Sequence, residues 1–266
     1  MVTLLKSAYN TFHHVMYDLP DRRSDGWFLS GYVFSPVCVS LLYLVFVKKV
    51  GPWFMKDRPA YNLNKIISIY NLIQVGICAE LCIKGIDLFV TKNTSFLCQT
   101  VDYSTTPMSV YILENVWKYY ILKVVDLIDT AFFILRKKTD HVTFLHVYHH
   151  AAMVIITGLA LKFYPGGQGI MGGTVNCLVH VVMYSYYFVT NAWPEYKKNV
   201  WWKKHITQLQ MAQFIFLTFH ILPGIFMDDC DYPLIMSIMI LLQNIFLFFL
   251  FFNFYRKAYG KKSKSP

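Results

Sequence analysis

The chain has 266 residues, of which 56% are hydrophobic and only 15% charged, a balance too apolar for an ordinary soluble domain. With 22 Phe, 19 Tyr and 6 Trp it is also too rich in aromatic surface to be disordered. The net charge of +10 falls in short clusters between apolar runs, which reads as membrane topology and leaves no nucleic-acid partner to expect.

The first 27 residues mix Lys6, Asp18, Asp21, Arg22, Arg23 and Asp25 into a weakly apolar stretch, so no signal peptide is evident and the first spanning helix is expected to act as its own insertion signal. Spanning hydrocarbon takes about 20 apolar residues in a helix. Five runs meet this cleanly: Trp27–Val47, Val142–Leu161, Gly169–Thr190, Ile206–Phe226 and Leu234–Phe254. Ile66–Val90 and Val110–Leu135 have the length but contain ionisable residues; counting them gives seven spans. Open backbone polar groups are costly in lipid and no strong alternation suggests a barrel of strands, so the fold class is all-α, a polytopic membrane protein. No repeat or long linker divides it, and residues 1–266 read as one domain, with an N-terminal segment 1–26 and a basic tail 256–266.

Orientation follows from the connections. One set holds Lys48, Lys49, Lys56, Arg58, Lys65, Arg136, Lys137, Lys138, Lys197, Lys198, Lys203, Lys204 and the basic tail, while the other holds only Lys6, Arg22, Arg23, Lys84, Lys92 and Lys162. The richer side is expected to be cytosolic, which makes the N-terminus lumenal and the C-terminus cytosolic. Asn93-Thr94-Ser95 is then a lumenal glycosylation sequon. Cys98 and Cys230 fall on the oxidising side, either as a disulfide or as two free thiols, whereas Cys38, Cys78, Cys82 and Cys177 lie within spans. Lys262 and Lys264 have the K-x-K-x-x spacing of a retrieval signal, which points to the endoplasmic reticulum.

Ionisable and polar groups inside a bundle cost free energy unless paired or hydrated, so their positions carry the functional information. The third span contains Glu114, Lys118, Lys123, Asp126 and Asp129, the last three at i, i+3, i+6 as a ladder on one face. The ladder is either a self-neutralising rib between helices or part of a site. The fourth span opens on His146-Val147-Tyr148-His149-His150, which puts three imidazoles on one face near the cytosolic mouth. The fifth adds Asn176 and His180, followed by Met183, Tyr184, Tyr186 and Tyr187; these tyrosines also suit an interfacial belt. The sixth carries Thr207, Gln210 and Gln213, which also suit interhelical hydrogen bonding. All four polar faces lie toward the cytosolic half and argue for an active site there, above an apolar chamber.

In order, Lys123-x-x-Asp126-x-x-Asp129-Thr130 with Leu135-Arg136-Lys137-Lys138, His146-x-x-His149-His150, Asn176-x3-His180-x2-Met183-Tyr184-x-Tyr186-Tyr187 and Thr207-x2-Gln210-x2-Gln213 resemble the elongases of very long chain fatty acids. The resemblance runs from about the first span to the basic tail. One departure is Asp126, where many members carry Glu.

The resemblance implies a 3-ketoacyl-CoA synthase, with six spans as a barrel around an acyl-CoA tunnel and a seventh outside it, the first span being the natural outlier. It implies long-chain acyl-CoA and malonyl-CoA as substrates, no cofactor and no metal, and a ketoacyl-CoA reductase, hydroxyacyl-CoA dehydratase and enoyl-CoA reductase as partners in the cycle; a homo-oligomer is left open. His149 is the expected acyl acceptor. His146, His150 and His180 would orient it and move protons, with Lys123, Asp126, Asp129, Asn176, Tyr184, Tyr187, Gln210 and Gln213 in support. Arg136, Lys137, Lys138, Lys203 and Lys204 would meet the anionic end of CoA, although membrane orientation alone also explains them.

Three rivals stay open on the residues alone. H-x-x-H-H spacing also suits a metal-dependent membrane desaturase or hydroxylase, although one box offers few clustered ligands. Cys177, at i to i+3 from His180, could serve as the nucleophile in place of histidine. A seven-span transporter or receptor is the non-enzyme reading.

Overall fold

The computed structural model describes residues 2–91, 94–198 and 200–260. Asn93, Lys262 and Lys264, the sequon and retrieval lysines, lie outside the described residues. Among these residues the chain is helical, without strands: α1 (Val2–His13), α2 (Ser35–Met55), α3 (Asn64–Val90), α4 (Pro107–Val125), α5 (Ile128–Leu135), α6 (Phe144–Phe163), α7 (Gly169–Ala192), α8 (Val200–Ile221) and α9 (Leu234–Tyr259). A short turn of helix, Pro223–Phe226, extends α8.

Five stretches are long and apolar enough to cross a membrane: Ser35–Met55, Asn64–Val90, Phe144–Phe163, Trp201–Phe226 and Leu234–Tyr259. The other two spans read from the sequence fall on α4 with α5, which carries Glu114, Lys118 and Lys123, and on α7, which carries Asn176 and His180. Many outward apolar side chains, such as Ile69, Leu72 and Ile83 on α3 and Leu242 and Phe249 on α9, are exposed. Helices apolar all round need lipid on the face that protein does not cover.

Local chemistry explains several boundaries. Thr106 accepts a hydrogen bond from Ser109 N at 3.3 Å ahead of Pro107, and Thr143 accepts one from His146 N at 3.3 Å, so both α4 and α6 start on a capped first turn. The first span begins later than expected: residues 27–34 form turns, and α2 starts at Ser35-Pro36 and runs to Met55. Lys48 and Lys49 therefore sit in its π-helical turn, Phe46–Val50, instead of in a loop.

Six helices close a ring. Around it α3 packs on α7, α7 on α8, α8 on α9, α9 on α6, α6 on α4, and α4 returns to α3. The outlier is α2, which packs on α6 and, by its C-terminal end, on α5. The α3–α7 contact is close because Gly85 leaves the space that Thr174 fills. At one end of the ring the α6–α7 turn uses Gly166 (φ 105°) and Gly167 (φ 55°), backbone that disfavours any side chain. A Cβ at Gly167 would also stand 2.8 Å from the Tyr232 ring. At this end Cys98 and Cys230 form a disulfide, which settles the sequence alternative. Gln168 adds to the seal: its amide donates to Leu97 O at 2.9 Å and His220 O at 3.1 Å and accepts from Gln99 N at 2.9 Å.

Candidate active site

The third span is not one continuous helix, as its even ladder suggested. It breaks between α4 and α5 at Asp126 and Leu127, where backbone bonds tighten to i→i+3: Leu127 N to Val124 O, Asp129 N to Asp126 O and Thr130 N to Leu127 O, each 3.2 Å. Three residues per turn eclipse positions i and i+3, which brings Lys123, Asp126 and Asp129 into line more sharply than an α-helix would. Part of the ladder is a buried ion pair, and part reaches across the bundle to Tyr184.

Lys123 Nζ lies 3.0 Å from Asp126 Oδ2, with Lys123 2% and Asp126 3% exposed. The second Asp126 oxygen accepts from Gln74 Nε2 at 2.7 Å and from the Tyr184 hydroxyl at 3.3 Å. The single Tyr184 proton is shared with Asp129 Oδ2, which lies closer at 2.7 Å, and Gln74 donates to the Tyr70 oxygen at 2.8 Å. The shorter arm of Asp126 thus reaches three donors. His180 Nδ1 stands 3.9 Å from Asp126 Oδ2 and makes no hydrogen bond. Glu114 is exposed, and Lys118 lies 4.0 Å from Glu80, with Lys84 as the closer partner of that carboxylate at 2.5 Å. These charges stand apart from the Lys123–Asp126 group.

The histidine box divides its work. His146 Nε2 shares a 2.8 Å hydrogen bond with Thr130 Oγ1, which shares one of 2.9 Å with the Tyr43 hydroxyl of α2. His150 lies between its neighbours, with ring centroids 4.2 Å from His146 and 5.6 Å from His149. His149, its ring 6.2 Å from Phe251, borders a chamber of about 640 Å³ lined by helices of the ring.

The chamber wall is mostly apolar and runs from Tyr148 and His149 to Gln168 and Tyr232 beside the sealed end. Tyr148 donates to Gln243 Oε1 at 2.9 Å across the α6–α9 seam, and Tyr119 donates to Asn176 Oδ1 at 2.9 Å. Asn176, Cys177 and Gln213 border the same space. Gln210 instead lies with its amide nitrogen 3.6 Å from Met183 Sδ, and Tyr187, 42% exposed, packs its ring 6.0 Å from Tyr184. Cys177 is fully buried with Cys78 and Cys82 against Leu81 and Leu122. Among the described residues no group of three His, Cys, Asp or Glu side chains is arranged to hold a metal ion.

The basic residues gather near the histidine end. Arg136 donates to Asn64 Oδ1 at 3.1 Å, while Lys137, Lys138, Lys203 and Lys204 are exposed. His141, outside the spans, stacks on Phe133 at 5.1 Å; burial first, then the nearby Lys138 charge, hold its pKa below the usual histidine value.

Sequence reading missed Gln74, Tyr70, Tyr119, Tyr148, Gln243 and Tyr43 as parts of this assembly. All lie in helices of the bundle, and polarity inside such a helix is the signal that would have found them.

The model of the GNS1/SUR4 (ELO) family matches residues 28–266. The chain belongs to this family. It is 38% identical to very long chain fatty acid elongase 7 of Rattus norvegicus over 248 residues, 92% of this chain and 88% of that one. Similarity to elongase 4 of Homo sapiens is 37% over 259 residues, covering 96% and 80%. Elongase 7 of Drosophila melanogaster is 35% identical over 262 residues, covering 97% and 78%. As an elongase-family member the chain is an enzyme of fatty acid elongation, a multi-pass membrane protein whose candidate site opens on an apolar chamber.

Proposed function

We propose that this elongase is the 3-oxoacyl-CoA synthase of the cycle, condensing a long-chain acyl-CoA with malonyl-CoA. The observation that carries the reading is the position of His149: of His146, His149, His150 and His180, it is His149 that borders the apolar chamber. An imidazole at the mouth of a space suited to an acyl chain is placed to attack its thioester. The His149 nitrogen forms a bond to the acyl carbonyl carbon, the C–S bond breaks, and CoA leaves with a proton. Malonyl-CoA then loses carbon dioxide, its enolate carbon attacks the acyl-imidazole, and the C–N bond breaks to release 3-ketoacyl-CoA, while a proton taken up from solvent restores neutral His149.

The enolate needs donors already in place. Asn176 at the chamber, together with Gln210, is the proposed source, while His146, held by Thr130, and His150 fix the His149 ring; His180 moves the proton beside Asp126. Lys123, Asp126, Asp129, Tyr184, Tyr187 and Gln213 support the site. Arg136, Lys137, Lys138, Lys203 and Lys204 receive the anionic end of CoA, which puts the histidine end in the cytosol. The disulfide at the far end supports an oxidising, lumenal face and endoplasmic reticulum residence, with Asn93 as a glycan acceptor and Lys262 and Lys264 as retrieval residues. The ketoacyl-CoA reductase, hydroxyacyl-CoA dehydratase and enoyl-CoA reductase steps follow on separate partners.

Incorporation of labelled malonyl-CoA by the purified protein, across a series of acyl-CoA lengths, tests the reading. Extension by the parent chain and its loss in His149→Ala is the expected result; no extension of any acyl-CoA by a folded preparation overturns it. Cys177 is the second reading, because its position at the chamber would admit a thioester intermediate. Full activity in Cys177→Ala dismisses it.

A further inference from the structure

A void of about 640 Å³ lined by apolar side chains forfeits packing free energy, and a folded core keeps such a space only where something fills it. One wall element is unusual. On α7, Gly169, Gly172 and Gly173 all border the chamber. A Cβ at Gly173 would lie 3.8 Å from the Tyr119 ring, and one at Gly169, which is exposed, would lie 3.9 Å from the Tyr232 hydroxyl. At Gly172 a Cβ would meet no atom within 4 Å. Nothing in helix packing calls for glycine there, and glycine costs a helix about 1 kcal/mol relative to alanine.

The position along the helix gives the gap its meaning. With a rise of 1.5 Å per residue, Gly172 lies about 6 Å beyond Asn176 toward the sealed end, and the chamber continues about another 6 Å along the axis to Gln168. A chain whose reacting end sits at His149 must pass Gly172 to use this remaining depth.

We infer that Gly172 is a specificity-determining residue, whose missing side chain admits the far end of a long acyl chain to the part of the chamber beside Gln168 and Tyr232. This rests on the condensing reading above. A side chain at 172 would fill the passage and stop longer chains, leaving the histidine end and its chemistry untouched.

The test measures labelled malonyl-CoA incorporation into a graded series of saturated acyl-CoAs by the full-length protein, the Gly172→Ala and Gly172→Leu variants, and Gly76→Leu. Gly76 is an exposed helical glycine outside the chamber whose added Cβ also meets nothing within 4 Å. Gly172→Leu should lower the ratio of longest-chain to shortest-chain extension at least tenfold, keep the shortest substrate within about twofold of the parent, and leave Gly76→Leu unchanged. Gly172→Ala should move the cutoff the same way by a smaller step. An unchanged length profile in both Gly172 variants overturns the inference while the synthase reading stands. Failure of the parent protein to extend any acyl-CoA is the distinct result that removes the reading itself. If Gly172→Leu does not fold, the alanine variant decides: a shift toward shorter chains supports the inference, and an identical profile overturns it.

Discussion

Lys123 and Asp126 form an ion pair of 3.0 Å between two almost fully buried side chains. In such a place the attraction between the charges offsets a desolvation cost of similar size, so the pair matters most when it is broken. Removing the ammonium leaves Asp126 with only Gln74 and Tyr184 as donors. Lys123→Met should therefore destabilise the protein by about 3–5 kcal/mol. Adding Asp126→Asn should recover a large part of that loss, because an amide tolerates burial better than a lone carboxylate. Thermal unfolding in detergent of the two single variants and the double variant checks this; equal losses in the Lys123 single and the double variant would contradict it.

The outlying helix α2 also reaches the site, through Tyr43, Thr130 and His146. Thr130→Val keeps the shape and removes both hydrogen bonds, freeing the His146 ring. If His146 serves by holding its neighbours in register, activity should fall about tenfold to a hundredfold, the scale of a small misplacement at a reacting centre. Tyr43→Phe, one bond further away, should cost only about 0.5–1.5 kcal/mol of stability and little rate. Malonyl-CoA incorporation alongside melting temperatures separates the two effects.

Much of this arrangement was legible in the sequence, for reasons that also mark where legibility ended. A helix fixes which of its own residues share a face, so His146, His149 and His150, and Asn176 with His180, could be grouped without coordinates. Lys123 and Asp126 were visible as charges that lipid would reject. Periodicity does not give the rotation of one helix against another, and therefore Gln74 could not be matched to Asp126, nor Tyr148 to Gln243. It also could not show that His149 alone of the box borders the chamber while His146 turns to Thr130. The break at Asp126 escaped because no Pro or Gly marks it. Residues 27–34 were read as membrane helix from hydropathy, although their backbone folds into turns before Ser35-Pro36.

Gly85 and Gly76 are both helical glycines of α3, nine residues apart by number, yet a Cβ added to Gly85 would collide with Thr174 while one at Gly76 meets open space. The α3–α7 seam supports Gln74 on one side and Tyr184 on the other, so widening it separates Asp126 from its donors. Gly85→Ala should cost about 1–3 kcal/mol, the usual scale for overpacking a fitted contact. Gly76→Ala should be neutral or slightly stabilising through helix propensity. Melting temperatures of the two variants, with activity measured below both, provide the comparison; equal behaviour would show that the seam yields.

The Cys98–Cys230 bond joins residues 132 apart in sequence and holds the loop before α4 against the one before α9, where Gln168 also bonds to Leu97 O and His220 O. Closing so long a segment restricts the unfolded chain, so Cys98→Ser or Cys230→Ser should lower stability by about 2–4 kcal/mol. Because the bond lies at the end of the chamber away from the histidines, extension of short acyl-CoAs should persist at temperatures where the variants stay folded. Melting the parent protein with and without a membrane-permeant reductant should reproduce the loss seen in the serine variants, while the variants themselves should not respond. A reductant effect of equal size in Cys98→Ser would assign the stabilisation to some other thiol.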